Sequence, residues 1–186
     1  MDAYSIVLFV HIVGVLGLFV ALGLERTGLR QIRSAAVPEQ VRAWMGIFKS
    51  TRGMGFAAMG TTVITGIYML LTDTGLVPWL YVSIGALVLV ILLSVVLTGP
   101  RMVAIGQAMV MGKGTLSSNF HILANHPLLW ISIQTRIAIA LGIVFLKITK
   151  PSLGGSLLTI GVAIVLGIVS ALPVSSRERV QEGSAD

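Results

Sequence analysis

Residues 4–24 read YSIVLFVHIVGVLGLFVALGL and carry one ionisable side chain in their apolar body, that of His11. At about 1.5 Å of rise per residue, a helix over this stretch can cross a hydrocarbon core roughly 30 Å thick. A secretory signal has a basic start, a shorter apolar core and a small-residue cleavage site. This stretch instead follows Asp2 and ends at Glu25-Arg26. It therefore predicts a helix that stays in the membrane.

The composition extends this prediction to the rest of the chain. Only 11% of the residues are charged, against about 25% in a typical soluble domain. The chain has no cysteine, which excludes disulfides and thiolate metal sites. Its net charge of +6 comes mainly from segments between apolar runs. That placement indicates control of membrane orientation rather than nucleic-acid binding.

Four further apolar runs have the length of membrane spans. We predict an all-α, polytopic transmembrane bundle with spans at about residues 4–24, 53–71, 79–98, 127–146 and 156–172. These spans are expected to form one bundle over residues 1–173. The third span is expected to stop at Gly99-Pro100 and the fifth at Pro173, leaving residues 174–186 as a polar cytoplasmic tail.

Two segments between the spans also carry local signals. Residues 38–50 place Val41, Trp44, Met45 and Phe48 at helical spacing behind Pro38, which suits the first turn of a helix. This segment is interpreted either as an interfacial helix or as an extension of the second span. Residues 101–126 are expected to form a loop.

The distribution of lysine and arginine predicts the orientation. With the N-terminus outside, the inner segments hold ten basic residues and the outer segments hold two, Lys147 and Lys150. The ten are Arg26, Arg30, Arg33, Arg42, Lys49, Arg52, Arg101, Lys113, Arg177 and Arg179. This bias predicts an N-terminus outside and a C-terminus inside. The predicted location is the cytoplasmic membrane of a bacterium or an archaeon.

Small and polar residues recur on one face of several predicted spans. Small residues let helices approach closely in a bilayer, and hydroxyls can bond between helices. We therefore expect packing at Gly14, Gly55, Thr62, Ala163, Gly167 and Ala171. The same spacing places Thr65 and Met69 on the face of Thr62, and places Ser132, Thr135 and Arg136 together on the fourth span.

His11 and Arg136 are the two ionisable residues predicted to lie inside the bilayer, where such groups are costly and usually functional. Counting helical rise places them roughly 6 Å apart along the membrane normal. Arginine keeps its charge and needs an acid, carbonyls, water or an anionic ligand. Asp73 and Glu25 lie near opposite faces, several turns away. The sequence therefore favours an anionic ligand or a hydrated cavity at Arg136.

Short motifs in this chain resemble a group of small bacterial membrane proteins. His11-Ile12, the basic first loop and Thr65-Gly66 resemble the membrane part of copper-resistance protein D and the HemJ-type protoporphyrinogen oxidases. Arg136 with residues 141–146 and Lys150-Pro151 is most similar to an uncharacterised branch. In the HemJ-type proteins a first-span histidine is associated with haem b and a third-span lysine contributes. This third span has no lysine, and tryptophan does not follow His11.

Three hypotheses follow from the residues and the resemblance. A haem b protein with a redox role would use His11 as axial ligand and Arg136 beside a propionate. Met59 and Met69 are candidate second ligands, and Met69 shares a helix face with Thr65. A small transporter or channel would place Arg136 and hydroxyls on the path of an anion or of copper. An accessory subunit would use its small-residue faces in a homo-oligomer or a larger membrane complex. No catalytic constellation is visible, so an enzyme is not the expectation.

Overall fold

The computed structural model describes residues 2–74, 77–111 and 116–182, and all the regular secondary structure in these ranges is helical. The helices are α1 (Ala3–Arg33), α2 (Pro38–Met69), α3 (Pro78–Leu92), α4 (Gly99–Met111), α5 (Ser118–Ala124), α6 (Pro127–Thr149) and α7 (Leu153–Glu182). Two π-helical segments, Leu70–Thr74 and Leu93–Thr98, continue α2 and α3. Within the described ranges, five helical segments are long and apolar enough to cross a membrane. The prediction of an all-α fold with five spans is confirmed.

These five segments are apolar on their outward sides as well as inside. One residue from each segment illustrates this: Phe9, Ile64, Val96, Leu141 and Leu158 each expose more than half of their surface. Water would oppose such exposure, whereas lipid tails accept it. The apolar exterior therefore indicates a lipid bilayer around the helices. Which end of the chain faces which side stays a prediction from the charge count.

The chain divides into two compact units, Met1–Val77 and Pro78–Asp186. In the first unit α1 and α2 pack side by side as an antiparallel pair. Gly14 lies against Thr62, and Gly17 lies against Ala58. Since residues in the first half of α1 meet residues in the second half of α2, the short link at residues 34–37 reverses the direction of the chain.

The amphipathic segment 38–50 is the first part of α2 rather than a separate interfacial helix. Its apolar side contacts the last third of α1, because a Cβ on Gly28 would lie 3.5 Å from Phe48 Cδ2 and 3.9 Å from Trp44 Cε3. Val41 and Ile32 are completely buried. Of the two interpretations of this segment, the extension of the second span is therefore the observed one.

The third span continues through Gly99 and Pro100 into α4, so the predicted stop at these residues is wrong. Proline lacks an N–H and its ring clashes with the carbonyl four residues earlier, which normally ends or kinks an α-helix. Here the π-helical segment Leu93–Thr98 directly precedes Gly99 and Pro100. Its wider turn changes the hydrogen-bond pattern where the proline would interrupt it.

The predicted loop over residues 101–126 is also largely helical. Helix α4 runs to Met111, and α5 follows with Ser117 as its N-cap, whose side chain accepts a bond from Phe120 N. Residues 112–115, which include Lys113, lie outside the described residues.

In the second unit α6 is the most buried of the five long segments and packs against α3, against Leu93–Thr98 and against α7. It begins at Pro127, where His126 Nδ1 accepts a hydrogen bond from Leu128 N, and ends at Lys150 in the left-handed conformation.

Helix α7 continues past Pro173 to Glu182, although its apolar span ends at Leu172. The predicted tail is therefore helical to residue 182, since one proline removes only one backbone bond. Residues 183–186 lie outside the described part.

Candidate functional site

His11 contacts the facing helix of the first unit through a hydroxyl. Its Nδ1 lies 2.9 Å from Thr65 Oγ1, and that hydroxyl lies 2.6 Å from the carbonyl oxygen of Thr61. A threonine hydroxyl has one proton, and the carbonyl can only accept it. The short bond to Thr61 therefore makes Nδ1 the donor to Thr65 Oγ1. In neutral His11, Nε2 is then the basic nitrogen of the ring.

The surroundings of His11 limit how a haem group could be bound. The ring lies against Gly66, whose Cβ would be 3.5 Å from His11 Cε1. One turn along α1, a Cβ on Gly14 would lie only 2.8 Å from Thr62 Oγ1. A contact too tight for a methyl group excludes a porphyrin at that point. A haem could therefore reach His11 only from outside the contact between α1 and α2, at Nε2.

Met69 does not gain support as a partner of His11 in such a site. It is buried, with 4% of its surface exposed, and lies one turn beyond Thr65 on α2. This face of α2 contacts the Nδ1 side of the His11 ring through Thr65. A second haem ligand would instead have to lie on the Nε2 side. The residues of the first unit therefore fit a single nitrogen ligand, His11. Within the described ranges no group of three or more His, Asp or Glu side chains could hold a metal ion.

In the second unit a polar cluster surrounds Arg136, which is 3% exposed. Arg136 Nη2 lies 3.4 Å from Thr98 Oγ1, and Thr98 Oγ1 lies 3.0 Å from Ser132 Oγ. Ser132 Oγ in turn donates to the carbonyl oxygen of Leu93 at 3.2 Å. Thr98 and Ser132 are themselves 4% and 0% exposed. The fourth span and the π-helical segment are thus joined by a buried chain of hydrogen bonds.

The direction of every bond in this chain is determined by its two ends. A guanidinium can only donate, and a backbone carbonyl can only accept. Arg136 therefore donates to Thr98, Thr98 donates to Ser132, and Ser132 donates to Leu93. Both hydroxyl protons are used within the chain. Thr98 consequently orients the guanidinium, Ser132 supports Thr98, and neither hydroxyl has a proton left for a ligand.

Acidic residues are absent from the sequence around Arg136. The sequence contains no Asp or Glu from Thr74 to Arg177. Arg136 is also the one charged residue between Pro127 and Leu146. The fourth span therefore carries a single positive charge into its apolar part.

Thr135 adds a second polar group beside Arg136. It is 5% exposed, and its Oγ1 has no hydrogen-bond partner among the described residues. Other span hydroxyls donate to a carbonyl one turn earlier, as Thr62 does to Ala58 and Thr159 to Gly155. A buried hydroxyl without a partner destabilises a fold by about 1–3 kcal/mol. The position of Thr135 is thus unfavourable in the protein alone.

The small residues predicted to pack lie in helix contacts of their own units. A Cβ on Gly55 would be 3.4 Å from Ala21 Cβ. On α7, Ala163 and Ala171 are buried, and a Cβ on Gly167 would lie 2.5 Å from Thr135 Cα. At Gly55 and Gly167 the absence of a side chain thus lets two helices of one unit approach closely.

The predicted site residues fall into two separate groups. His11, Thr65 and Met69 belong to the first unit, where His11 and Thr65 are in contact. Arg136 belongs to the second unit, with Ser132 and Thr135 beside it. Sequence reasoning missed Thr98, which is the direct partner of Arg136. The available signal was a hydroxyl at the end of an apolar run, just before Gly99-Pro100.

Comparison of the chain with protein-family models, with curated proteins and with solved structures finds no match. The resemblance to the copper-resistance and HemJ-type group therefore stays a prediction. The function must be argued from the two polar sites themselves.

Proposed function

We propose that this protein binds an anion within the bilayer and passes it across, with Arg136 as the binding charge. The observation that carries this proposal is the burial of the Arg136 guanidinium, 3% exposed, on a helix that is apolar around it. A charged arginine at the centre of a membrane helix is unfavourable by about 2.5–3.5 kcal/mol on insertion scales. A bound anion would offset that energy by neutralising the charge.

The hydrogen-bond chain supports a binding role over a purely structural one. Thr98 accepts a hydrogen bond from the guanidinium, and Ser132 supports Thr98 by linking it to the carbonyl of Leu93. A binding site needs such support, because a mobile arginine would lose rotamer freedom each time a ligand binds. π-helical turns are also frequent at functional sites.

The proposed setting is the cytoplasmic membrane of a bacterium or an archaeon, with the N-terminus outside. The apolar exterior of the helices supports the bilayer, and the charge count supports the orientation. Assembly into a homo-oligomer or with another membrane protein is part of the same proposal. The small residues do not support such assembly, because those described above already pack against helices of their own unit.

The test is anion entry into proteoliposomes under a potassium gradient clamped with valinomycin. The panel compares wild type with Arg136→Gln, which removes the charge, and with Arg136→Lys, which keeps it. We expect Arg136→Gln to reduce anion flux to the level of protein-free vesicles. Arg136→Lys should keep measurable flux, because a lysine attracts anions without the planar fork of arginine.

Arg42→Gln is the matched control for the loss of one positive charge. Arg42 is exposed and lies 3.9 Å from Glu39 on the first turns of α2. Its flux should equal that of wild type. Equal flux for wild type and for folded Arg136→Gln would exclude the proposal, and so would wild-type flux no greater than that of empty vesicles.

A second candidate function is haem b binding through His11. The specific observation in its favour is the bond from Nδ1 to Thr65, since ligating histidines usually donate their second ring nitrogen to a hydrogen-bond acceptor. Haem would supply one-electron redox chemistry, and this chain would contribute His11 Nε2 as an axial ligand. The test is a reduced-minus-oxidised visible spectrum of protein expressed with added haem. Absorption bands that vanish in His11→Ala support this candidate, and a flat spectrum of folded protein excludes it.

A further inference from the structure

The side of α2 that points away from α1 carries two basic residues where its apolar part begins. At about 100° per residue, one stripe of this helix is formed by Lys49, Arg52, Gly53, Phe56 and Gly60. The residues that contact α1, among them Gly55, Ala58 and Thr62, fall on the opposite side. In the stripe, Gly60 is half-buried and the other four residues are exposed. We call this surface the outer stripe.

Arg52 lies at the boundary of the apolar part of the first unit. No Asp, Glu, Lys or Arg occurs over residues 53–72 of α2 and its π-helical continuation, or over residues 3–24 of α1. Ala21 packs against Gly55, so the antiparallel register brings the two ends, residues 24 and 53, to one level. In a bilayer this level separates hydrocarbon from headgroups. Arg52 consequently lies at the depth of lipid phosphates.

An exposed aromatic ring holds Arg52 at this boundary. The Cζ atom of Arg52 lies 5.6 Å from the centre of the Phe56 ring, and Phe56 is 58% exposed. Phe56 lies one turn further into the apolar run, so the cation covers apolar surface at its edge. A ring accepts no strong hydrogen bond. This contact therefore leaves the N–H donors of Arg52 for oxygen atoms.

The outer stripe also has room for acyl chains beside the Phe56 ring. Nothing lies within 4 Å of a Cβ built on Gly53 or on Gly60, which lie about one turn to either side of Phe56. Further along the same side, Ile67 is 52% exposed. From Lys49 to Ile67 the surface thus changes from cationic to aromatic to aliphatic. A phospholipid has the matching order, with its phosphate at the boundary and its acyl chains inside.

The charge of the outer stripe argues against a second copy of this chain as the occupant. Copies in one membrane have the same orientation, so a two-fold contact through the stripe would bring Lys49 and Arg52 against their own counterparts. The sequence has no Asp or Glu over residues 40–72 that could pair with these cations. An anionic lipid supplies the opposite charge instead.

We propose that the outer stripe binds an anionic phospholipid, with Lys49 and Arg52 at its phosphate and Phe56 beside its acyl chains. This site uses the first unit alone and does not depend on anion passage at Arg136. Residues 25–52 contain six basic and two acidic residues, and this excess of positive charge attracts anionic lipids to the stripe. With the predicted orientation, the lipid belongs to the cytoplasmic leaflet, whose surface is negatively charged.

The test is native mass spectrometry of detergent-purified protein titrated with dioleoyl phosphatidylglycerol or with dioleoyl phosphatidylcholine, which have the same acyl chains. We expect the dissociation constant of the first phosphatidylglycerol to be at least about tenfold lower, since each basic residue near a lipid surface contributes about fivefold. Lys49→Gln/Arg52→Gln should raise this constant at least about tenfold and change that of phosphatidylcholine less than about twofold. Lys49→Arg/Arg52→Lys keeps both charges and should keep the preference.

Phe56→Ala tests the contribution of the ring. It should raise the phosphatidylglycerol constant about two- to fivefold, because Arg52 loses the group that holds it at the boundary. An unchanged constant would overturn the role of Phe56.

Lys147→Gln/Lys150→Gln is the matched control, because it removes two exposed charges with the same spacing at the end of α6. There the ring beside Lys147 belongs to Trp79, which is buried and offers no open surface to a lipid. The control should change the phosphatidylglycerol constant less than about twofold. Equal losses in the two double variants would show an effect of net charge alone and overturn the proposal. Wild-type protein that binds both lipids equally would overturn it as well, and so would a dimer that Lys49→Gln/Arg52→Gln strengthens and that binds neither lipid.

Discussion

Replacing Gly167 with alanine should force α6 and α7 apart. A Cβ at this position would lie 2.5 Å from Thr135 Cα, 3.0 Å from its N and 3.1 Å from its Oγ1. Carbon atoms in contact are normally about 3.5–4.0 Å apart, so the helices must separate by about 1 Å at this point. Overpacking typically destabilises a core by about 1–3 kcal/mol. We expect about 2–3 kcal/mol here, because the two nearest atoms belong to the backbone and no rotamer change can move them.

The assay is thermal unfolding in detergent, followed by tryptophan fluorescence. A loss of this size should lower Tm by about 4–12 °C for a chain of this length. Gly161→Ala is the matched control, since nothing lies within 4 Å of a Cβ at this exposed position of the same helix. Alanine is the better helix former by about 1 kcal/mol, so the control should match or exceed wild type. A Gly167→Ala protein as stable as Gly161→Ala would refute the reasoning from helix contact.

Further predictions concern the first unit and the end of α6. Gly14→Ala should lower Tm by several degrees, because its Cβ would lie 2.8 Å from the Thr62 hydroxyl and 3.2 Å from the Thr62 nitrogen. Gly23→Ala is the control and should not lower Tm, since nothing lies within 4 Å of a Cβ there. Equal Tm values for the two variants would contradict this. Thr65→Val removes the acceptor of the Nδ1 proton of His11. Part of neutral His11 should then change to the Nε2–H tautomer, which ¹⁵N NMR of the ring nitrogens distinguishes. An unchanged spectrum would show that Thr65 does not select the tautomer. Lys150→Gly should raise the free energy of unfolding by up to about 1 kcal/mol. Lys150 has a φ of 46°, and this left-handed backbone conformation is unfavourable for residues other than glycine. A lower Tm than that of wild type would argue against this.

The apolar spans could be predicted from sequence because their signal is local. Each run is long enough to cross a bilayer, and no soluble fold would leave such runs exposed. The positions of small residues also indicated which faces meet. The faces that hold His11 with Gly14 and Thr62 with Thr65 were both visible as helical stripes. These two faces meet in the structure because α1 and α2 are consecutive helices joined by a short link.

The remaining features depend on contacts between distant segments. Pro100 is a helix terminator by local rules, and only the π-helical turn before it lets the third span continue. Residues 38–50 have the pattern of an amphipathic helix in either environment, so sequence left open whether lipid or α1 covers the apolar side. Thr98 precedes Arg136 by 38 residues. Nothing in the third span indicates that its last hydroxyl would meet a charge on the fourth.

The central claim is that an anion contacts the Arg136 guanidinium inside the membrane part of the second unit. It is tested most directly by NMR of protein labelled at the arginine side-chain nitrogens, titrated with butyrate and then with chloride. Arg136→Lys assigns the resonance by removing it, and the exposed Arg42 serves as internal reference. The account predicts a saturable shift of the Arg136 resonance, while that of Arg42 drifts only with ionic strength. An Arg136 resonance that neither anion moves in the folded protein would contradict the account.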